Sequence, residues 1–418
     1  MKKRLAISFM AVLLTVTGCG GGGAMKGAAS PTPATQMYSS DDVDKRMVQA
    51  NNKFGVALFK ELLLSDKLSG NKVISPLSIE NALAMTYNGA EAETKAAMEE
   101  VLQLKGMTLH DINRGNQVLN DVLEHTDPSV SLSVANSLWA SEGKEFHKPF
   151  LDNNRTFYDA EVTTLDLASS GAPDQINRWV KKNTNGKIEK IVEGPIDPLT
   201  VLFLINAIYF KGEWAHPFEK EATSEGEFFI PDGPAVQVPM MRQSGEYEYK
   251  MGEGYEAVRM PYGKGAMRMV IYLPTVKSPD LSKMMSVLLS DIDQMTKGFH
   301  MTDGQLRIPR FKSEYSVSLN DTLKALGMEI AFDPERANFG NMGPIKPSLY
   351  IGEVLHKTFI EVNEQGTEAA AVTSVLMQTT SARQSFSMEV NRPFFFTIED
   401  GSTGTMLFMG SIENPDQE

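Results

Sequence analysis

One short segment near the C-terminal end limits which folds the rest of the chain can adopt. It is the run EVNEQGTEAAA, from Glu361 to Ala371. Gly366 gives it a flexible joint, because a residue without Cβ reaches backbone conformations closed to others. The small residues after it can enter a packed sheet without overfilling it. Residues 372–380 are rich in β-branched types and lack proline and glycine, as strands require. We predict a loop that can become a strand, although ordinary solvated helix ends and loops use similar residues.

Apolar spacing elsewhere predicts both helices and strands. Phe54, Leu58, Phe59 and Leu62 recur at helical spacing, and Thr94 to Leu102 starts with a capping threonine. Strand-like runs come mostly later in the chain: Ser131 to Ala140, Val201 to Phe210, Met267 to Leu273 and Phe394 to Ile398. This order favours an α+β fold with large antiparallel or mixed sheets over a regular alternation of strands and helices.

Composition favours one large domain. The chain has 418 residues, of which 42% are hydrophobic and 22% charged, and no Pro/Gly/Ser-rich linker interrupts residues 43–418. Its net charge of −13 argues against nucleic acid or an anionic membrane surface as the main partner, since both attract basic patches.

Sequence motifs of enzyme chemistry are absent. The chain contains no GxSxG, HExxH, Walker A or acidic calcium-loop motif. Gly252 to Ala257 fits GxGxxA, but a strand-like VRMPY follows where the dinucleotide motif needs a helix, so we interpret the match as coincidence. The six histidines stand singly, without metal-ligand spacing. We therefore predict no metal, no cofactor and no enzymatic activity.

The N-terminus predicts export. Lys2, Lys3 and Arg4 precede an apolar run from Leu5 to Val16, too short to span a bilayer comfortably but typical of a signal peptide. Residues 16–19, VTGC, match the lipobox of bacterial lipoproteins. Cys19 is the only cysteine, which excludes an internal disulfide or a catalytic thiol. We expect a signal peptide at 1–18, a lipidated flexible tether at 19–42, and a lipid-anchored protein facing the periplasm or the cell surface. An incidental cysteine after a plain signal peptide is the alternative.

Eight segments, in order, resemble the serpin family and cover nearly the whole chain after residue 42. They are Asn71–Leu102, Ile176–Ile188, Leu204–Thr223, Arg259–Tyr262, Met267–Pro274, Ile308–Met328, Asn391–Ile398 and Leu407–Pro415. The resemblance implies the serpin fold: a large central sheet, two further sheets, about eight to nine helices and an exposed reactive-centre loop. The serpin domain would occupy residues 43–418, with the loop at about 364–388.

The resemblance also implies roles for individual residues. The family's hinge corresponds to Glu364, Gly366, Thr367, Glu368, Ala369, Ala370 and Ala371, and its shutter to Ser75, Pro76, Ser78, Asn206 and His356. His356 is expected to bond the side chain of Asn206 and latch the sheet, although a satisfied core histidine needs no such role. Trp214 occupies the position of the breach, where the loop first enters, and is also compatible with simple core filling.

An inhibitory serpin offers its loop to a protease as substrate and traps the acyl-enzyme when the cut loop inserts into the central sheet. The resemblance therefore implies a metastable, monomeric suicide-substrate inhibitor of serine proteases, with cysteine proteases as a second class. Non-inhibitory binding members of the family usually carry charged, bulky or proline residues after the hinge glycine, which Thr367 to Ala371 largely avoids. The polyanion activation of some members needs a basic helix face that this sequence lacks.

Loop length locates the scissile bond. About fourteen residues from Thr367 to the cut, at about 3.3 Å each, give a strand of about 46 Å. The family's spacing from Glu364 places the bond between Thr380 and Ser381. The bond after Thr379 is an alternative, and so is that after Arg383, which adds three residues of slack. A threonine before the bond suggests elastase-like or broadly tolerant target proteases.

Overall fold

The structure is a computed structural model that describes residues 37–64, 70–196, 200, 202–231, 233–276, 281–344, 349–367 and 385–417. The helices in these ranges are α1 (Lys45–Leu64), α2 (Pro76–Tyr87), α3 (Ala92–Val101), α4 (Leu109–His125), α5 (Lys148–Tyr158), α6 (Ala172–Asn183), α7 (Ser282–Leu288), α8 (Ile292–Thr296) and α9 (Asn320–Leu323). The strands are β1 (Lys72–Ile74), β2 (Val130–Ser141), β3 (Glu161–Leu165), β4 (Leu202–Glu213), β5 (Ser224–Phe228), β6 (Val236–Met251), β7 (Tyr255–Pro261), β8 (Met267–Pro274), β9 (His300–Pro309), β10 (Phe311–Ser318), β11 (Glu353–Asn363), β12 (Gly366–Thr367), β13 (Phe386–Glu389), β14 (Phe394–Asp400) and β15 (Met406–Ile412).

The central sheet has six strands in the order β10-β11-β12-β4-β2-β3. Its middle pair, β11 and β4, is parallel and bonds directly from Glu353 opposite Phe203 to Phe359 opposite Tyr209. Past this stretch the two-residue β12 lies between them and runs antiparallel to both. The sheet is therefore closed along most of its middle and parted by a short strand at one end.

The other nine strands form a second hydrogen-bonded array. Within it, β6 connects two groups, since its Val236–Met240 segment pairs with β5 and its Glu248–Met251 segment with β7. The two further sheets predicted from the sequence are thus joined through β6. The α+β class and the serpin architecture are confirmed, with nine α-helices among the described residues.

Helices cover both faces of the central sheet. On one face lies α2, all of whose residues are buried. On the other lies α6, which begins after Gly171 with Pro173 in its first turn and ends near Asn183. Ile176 and Val180 of α6 share an apolar cluster with Ile205 of β4 and Phe359 of β11. Opening the sheet must therefore shift contacts on both of its faces.

The first described residues contact the folded body. The backbone amides of Met37 and Tyr38 each donate to Asp121 Oδ2 of α4 at 2.9 Å. The Arg114 guanidinium lies 4.3 Å from the centre of the Tyr38 ring. Residues 37–42, which the sequence prediction gave to the tether, thus pack on α4. The predicted signal peptide, Cys19 and the rest of the tether lie outside the described residues.

None of the described helices combines the length and apolar character needed to cross a membrane.

Candidate functional site

The hinge enters the central sheet at Gly366 and Thr367. Gly366 pairs with Asn363 on β11 and Glu213 on β4, and Thr367 pairs with Val362 and Gly212. Gly366 has a φ of 144°, and a Cβ there would lie 2.1 Å from the carbonyl oxygen of Gly212. Both the backbone conformation and the close approach therefore require glycine.

Glu364 fixes the turn before this short strand. Its Oε1 accepts hydrogen bonds from Thr223 Oγ1 at 2.6 Å and from Arg310 Nε at 2.7 Å, and the Arg310 Nη2 group bonds the same oxygen. The Glu364 side chain is 3% exposed. Burial pushes the pKa of Glu364 up, but the hydrogen bonds from Arg310 and Thr223 outweigh it and hold the pKa below its ordinary value. Glu364 is thus a buried, paired carboxylate at the root of the loop.

Trp214 lies at the end of β4 and contacts the hinge from one side. Its Nε1 donates to the carbonyl oxygen of Asn363 at 2.9 Å, and its backbone amide donates to the carbonyl oxygen of Gln365 at 2.8 Å. The indole stacks on Tyr262 with ring centres 4.4 Å apart. Tyr262 in turn places its hydroxyl 2.8 Å from Thr367 Oγ1. The two aromatic rings thus hold the backbone and side chain of the hinge at the point of entry.

The predicted shutter residues meet beneath the closed part of the sheet. Asn136, Asn206 and His356 lie side by side across β2, β4 and β11. Asn206 Nδ2 donates to Asn136 Oδ1 at 2.7 Å and to the Ser78 carbonyl at 2.8 Å. Asn206 Oδ1 accepts from the Ser78 hydroxyl and lies 2.9 Å from His356 Nδ1. All four bonding positions of the amide are therefore used.

These bonds determine the proton position on His356. Its Nε2 accepts from the backbone amide of Ser75 at 3.1 Å, so Nδ1 carries the hydrogen that Asn206 accepts. His356 is fully buried, and burial lowers its pKa to about 3. Ser75 also caps α2, accepting from the Ser78 amide at 3.4 Å, with Pro76 in the first turn. The neutral imidazole therefore links the start of α2 to β4 and β11.

The remaining predicted site residues, Glu368, Ala369, Ala370, Ala371, Thr379, Thr380, Ser381 and Arg383, lie outside the described residues. The segment that contains them joins Thr367 in the central sheet to β13. There Phe386 pairs with Gly304 and stacks on Tyr249 at 4.1 Å. Both ends of the loop are thus fixed by paired strands. The described residues contain no group of three or more His, Cys, Asp or Glu side chains that could hold a metal ion.

Sequence reasoning missed four residues that complete the site: Thr223, Arg310, Tyr262 and Asn136. The first three lie within segments that carried the family resemblance, but nothing in the sequence linked them to the hinge. Asn136 lies in a strand-like run, where a polar residue among apolar neighbours was the available signal. Their partners are distant in the chain, so only the tertiary fold brings them together.

Comparison with known proteins gives one consistent result. The family model described as Serpin (serine protease inhibitor) matches residues 49–415. The leukocyte elastase inhibitor of Equus caballus is 33% identical over 382 residues, which cover 89% of this chain and 100% of that protein. Serpin B6 of Macaca fascicularis is 35% identical over 378 residues, covering 88% and 99%.

Among solved structures, the thermophilic serpin tengpin in its native state is similar, with a TM-score of 0.81 and 34% identity. The match covers 89% of this chain and 95% of that one. The chain therefore belongs to the serpin (serine protease inhibitor) family.

Proposed function

We propose that this serpin is a suicide-substrate inhibitor of serine proteases, which it traps when its cut loop inserts between β11 and β4. One observation carries the proposal. Gly366 and Thr367 already lie between these two strands, in antiparallel register with both. On further entry, the same strand would lengthen toward the shutter as β11 and β4 separate.

The register fixes which loop residues would meet which strand residues. Continued along β11, it sets Ala369 opposite Ile360, Ala371 opposite Thr358 and Thr373 opposite His356. Along β4, the same extension sets Thr373 opposite Asn206. A threonine hydroxyl would thus arrive between the two side chains whose mutual bond must break for the sheet to open. It can donate to one and accept from the other.

Side-chain size agrees with this register. Alternate residues of β11, including Val362, Ile360, Thr358 and His356, are buried on the core side of the sheet. Loop residues opposite them would face the same side, since directly opposed residues share a face. These are Thr367, Ala369, Ala371, Thr373 and Val375. None is charged or large, so the core can accept them with little repacking.

Insertion would also improve the pairing of the sheet. In the native state β11 and β4 form a parallel pair. A strand that enters antiparallel to both replaces one parallel pairing by two antiparallel ones, which are slightly more stable per residue. The native fold would therefore be metastable and release free energy once cleavage frees the loop.

Trapping depends on the distance over which the protease is moved. An inserted strand of about 46 Å would carry an acyl-linked protease from one end of the sheet toward the other. Distortion of the protease then stops deacylation, since errors on the order of 1 Å in its catalytic groups can cost about a hundredfold in rate. We place the scissile bond between Thr380 and Ser381, with Thr379 and Arg383 as the alternative residues before the cut.

The proposed targets are elastase-like or broadly specific serine proteases, with cysteine proteases as a second class. A threonine before the bond supports the first choice, and one similar protein is named as an inhibitor of leukocyte elastase. We also propose that the inhibitor is a monomer anchored to a bacterial membrane by a lipid on Cys19. Loss of lipid labelling and of membrane retention in C19S would test that anchor.

A protease panel tests the inhibitory function. The body from Ala24 to Glu418 is mixed with serine and cysteine proteases, and denaturing gels are searched for a resistant complex. Sequencing of the released C-terminal peptide then locates the cut. We expect a complex and a peptide that begins at Ser381. Cleavage without complex across the panel would favour a non-inhibitory binding serpin.

A further inference from the structure

A second polar cluster lies on the side of α2 that faces α4 and α5. Its carboxyl member, Glu80, is fully buried. Asn116 of α4 donates from Nδ2 to Glu80 Oε1 at 3.2 Å and to the hydroxyl of Tyr158 at 3.4 Å. Tyr158 of α5 donates in turn to Asn113 Oδ1 at 2.8 Å. The cluster therefore joins three helices through buried hydrogen bonds.

Two oxygen atoms of this cluster, Glu80 Oε2 and Asn116 Oδ1, have no hydrogen-bond partner among the described residues. They belong to a pair of side chains whose other polar atoms, Glu80 Oε1 and Asn116 Nδ2, bond each other. A carboxylate has no hydrogen to donate, so ionised Glu80 would leave two buried acceptors unsatisfied, which is costly. A protonated Glu80 can instead donate from Oε2 to Asn116 Oδ1. The pair would then be joined by two parallel hydrogen bonds.

Among the described residues, no positive charge contacts Glu80. Asn116 faces it from α4 and Tyr158 from α5, and α2 has no other charged residue. The described parts of α1, α3, β2, β4 and β15 also pack on α2, and no charged group of theirs shifts the pKa of Glu80. Burial raises the pKa of Glu80 to about 7, while the Asn116 hydrogen bond lowers it only in part. Burial and the charge of Glu80 both raise the pKa of Tyr158, which stays protonated.

Glu80 and the shutter hold the same helix from opposite sides. Ser78 and Glu80 are two positions apart, or about 200° around an α-helix. Ser78 bonds Asn206 of β4, whereas Glu80 bonds Asn116 of α4. Beyond Asn206, His356 is the titratable group on the sheet side of α2. A change in the protonation of Glu80 therefore acts on α2, and the first turn of α2 bonds the closed part of the sheet through Ser78.

We propose that Glu80 is a proton-operated clamp. As a neutral acid, Glu80 joins α2 to α4 and keeps the shutter closed. On ionisation it loosens α2, which eases opening of the sheet. The first half concerns the native fold alone, and the second half rests on the proposed function. Because the folded-state pKa of Glu80 lies above the ordinary glutamate pKa of 4.5, its stabilising effect is complete only below about pH 4.5. The effect is lost as pH rises toward and through about 7.

Urea unfolding of the wild type, E80Q and E93Q between about pH 5 and pH 8.5 tests the clamp. The amide introduced by E80Q supplies the missing donor at every pH. The wild-type midpoint should therefore fall relative to E80Q as pH rises from about 5 to about 7, and the difference should level off above that. Glu93 is exposed on α3, so E93Q should follow the wild type. Parallel curves for the wild type and E80Q would overturn the proposal.

Infrared spectra provide a second measurement, which reports the protonation of the carboxyl group itself. The wild-type spectrum minus that of E80Q should show a buried protonated carboxyl band at about pH 6 that is replaced by a carboxylate band as pH rises through neutrality, and the subtraction removes the contribution of Glu124, whose pKa burial also raises to about 7. Absence of the protonated band from this difference spectrum at about pH 6 would contradict the clamp.

Coupling to the sheet is measured with a synthetic peptide of residues 367–380 that is allowed to anneal into the native protein. The rate should rise across neutrality in the wild type and stay flat in E80Q. The same pH dependence in both would overturn the coupling. Failure of the peptide to anneal at any pH would instead count against the insertion mechanism and leave the unfolding and infrared results standing.

Discussion

The hydroxyl of Tyr262 lies 2.8 Å from the hydroxyl of Thr367, and both residues are fully buried. Tyr262 also stacks on Trp214, which bonds the backbone of Asn363 on β11. The hinge is therefore held in the sheet by side chains from the end of β4 and the turn after β7. Gly366 and Thr367 already form the short strand that further loop entry would extend.

Thr367→Arg should convert the inhibitor into a substrate. An arginine at this site would place an unpaired charge in the core side of the sheet, at a cost of several kcal/mol. The loop would then be cut at an unchanged rate but would not insert. The yield of denaturant-resistant complex per cleavage event measures the effect, and we expect it to fall close to zero.

Ser316→Arg is the matched control for that substitution. Ser316 is exposed on the edge strand β10, so the same added charge should leave complex formation intact. Normal trapping by the Thr367 variant would rule out insertion as the mechanism.

Arg310→Gln should destabilise the native protein more than Glu364→Gln. Removal of Arg310 leaves the carboxylate of Glu364, which is 3% exposed, without its cation, whereas removal of Glu364 leaves an arginine that is 43% exposed and can turn to water. Removing the partner of a buried charge costs about 3–5 kcal/mol, which is the cost we expect for Arg310→Gln. For Glu364→Gln we expect roughly 1–2 kcal/mol. Urea unfolding at neutral pH compares the two, and equal or inverted costs would mean that Glu364 is not held as a buried ion.

Trp214→Phe should loosen the hinge more than the fold. The change removes the hydrogen bond from Nε1 to Asn363, worth about 1 kcal/mol, and keeps an aromatic ring against Tyr262. We expect faster annealing of the loop peptide with a small change in global unfolding. Trp179→Phe, which removes a partly exposed indole bond of 3.4 Å to Glu161, is the control and should leave annealing unchanged. An unaltered rate in the Trp214 variant would remove the gating role.

His356 should make the native fold less stable in acid. Its folded-state pKa is about 3 against an ordinary 6.5, so the unfolded state binds the extra proton as pH falls between these values. Stability is complete above about 6.5 and declines by up to about 1.4 kcal/mol per pH unit below it. The advantage of the wild type over H356Q should therefore shrink as pH is lowered, as urea midpoints would show. A difference between the wild type and H356Q that stays constant with pH would mean that burial does not control the pKa of His356.

The sequence predicted most of the fold, and the resemblance to the serpin family placed Gly366, Ser75 and Trp214. It also implied the bond between His356 and Asn206, although these residues are 150 positions apart. The ion pair of Arg310 with Glu364 was not predicted, because no pattern in the sequence connects the two residues and their contact depends on how β10 and β11 are aligned. The cluster around Glu80 was missed for the same reason, since a glutamate in a helix is ordinarily solvated. Nor could spacing reveal that the hinge is already paired on both sides.

Loop insertion is tested most directly by a disulfide that can form only in the inserted state. The body from Ala24 onward contains no cysteine, so V372C and K357C can be introduced together as its only thiols. The register of β12 with β11, extended along the loop, sets these two positions opposite each other. Opposed residues of this kind have Cβ atoms about 4.5–5.5 Å apart, close enough for a disulfide after a small adjustment. For V372C with K357C, we predict rapid disulfide formation after loop cleavage and little before it. The control pair, V372C with T358C, should form little disulfide at any time. A disulfide that is unaffected by cleavage, or that forms equally in both pairs, would contradict insertion between β11 and β4.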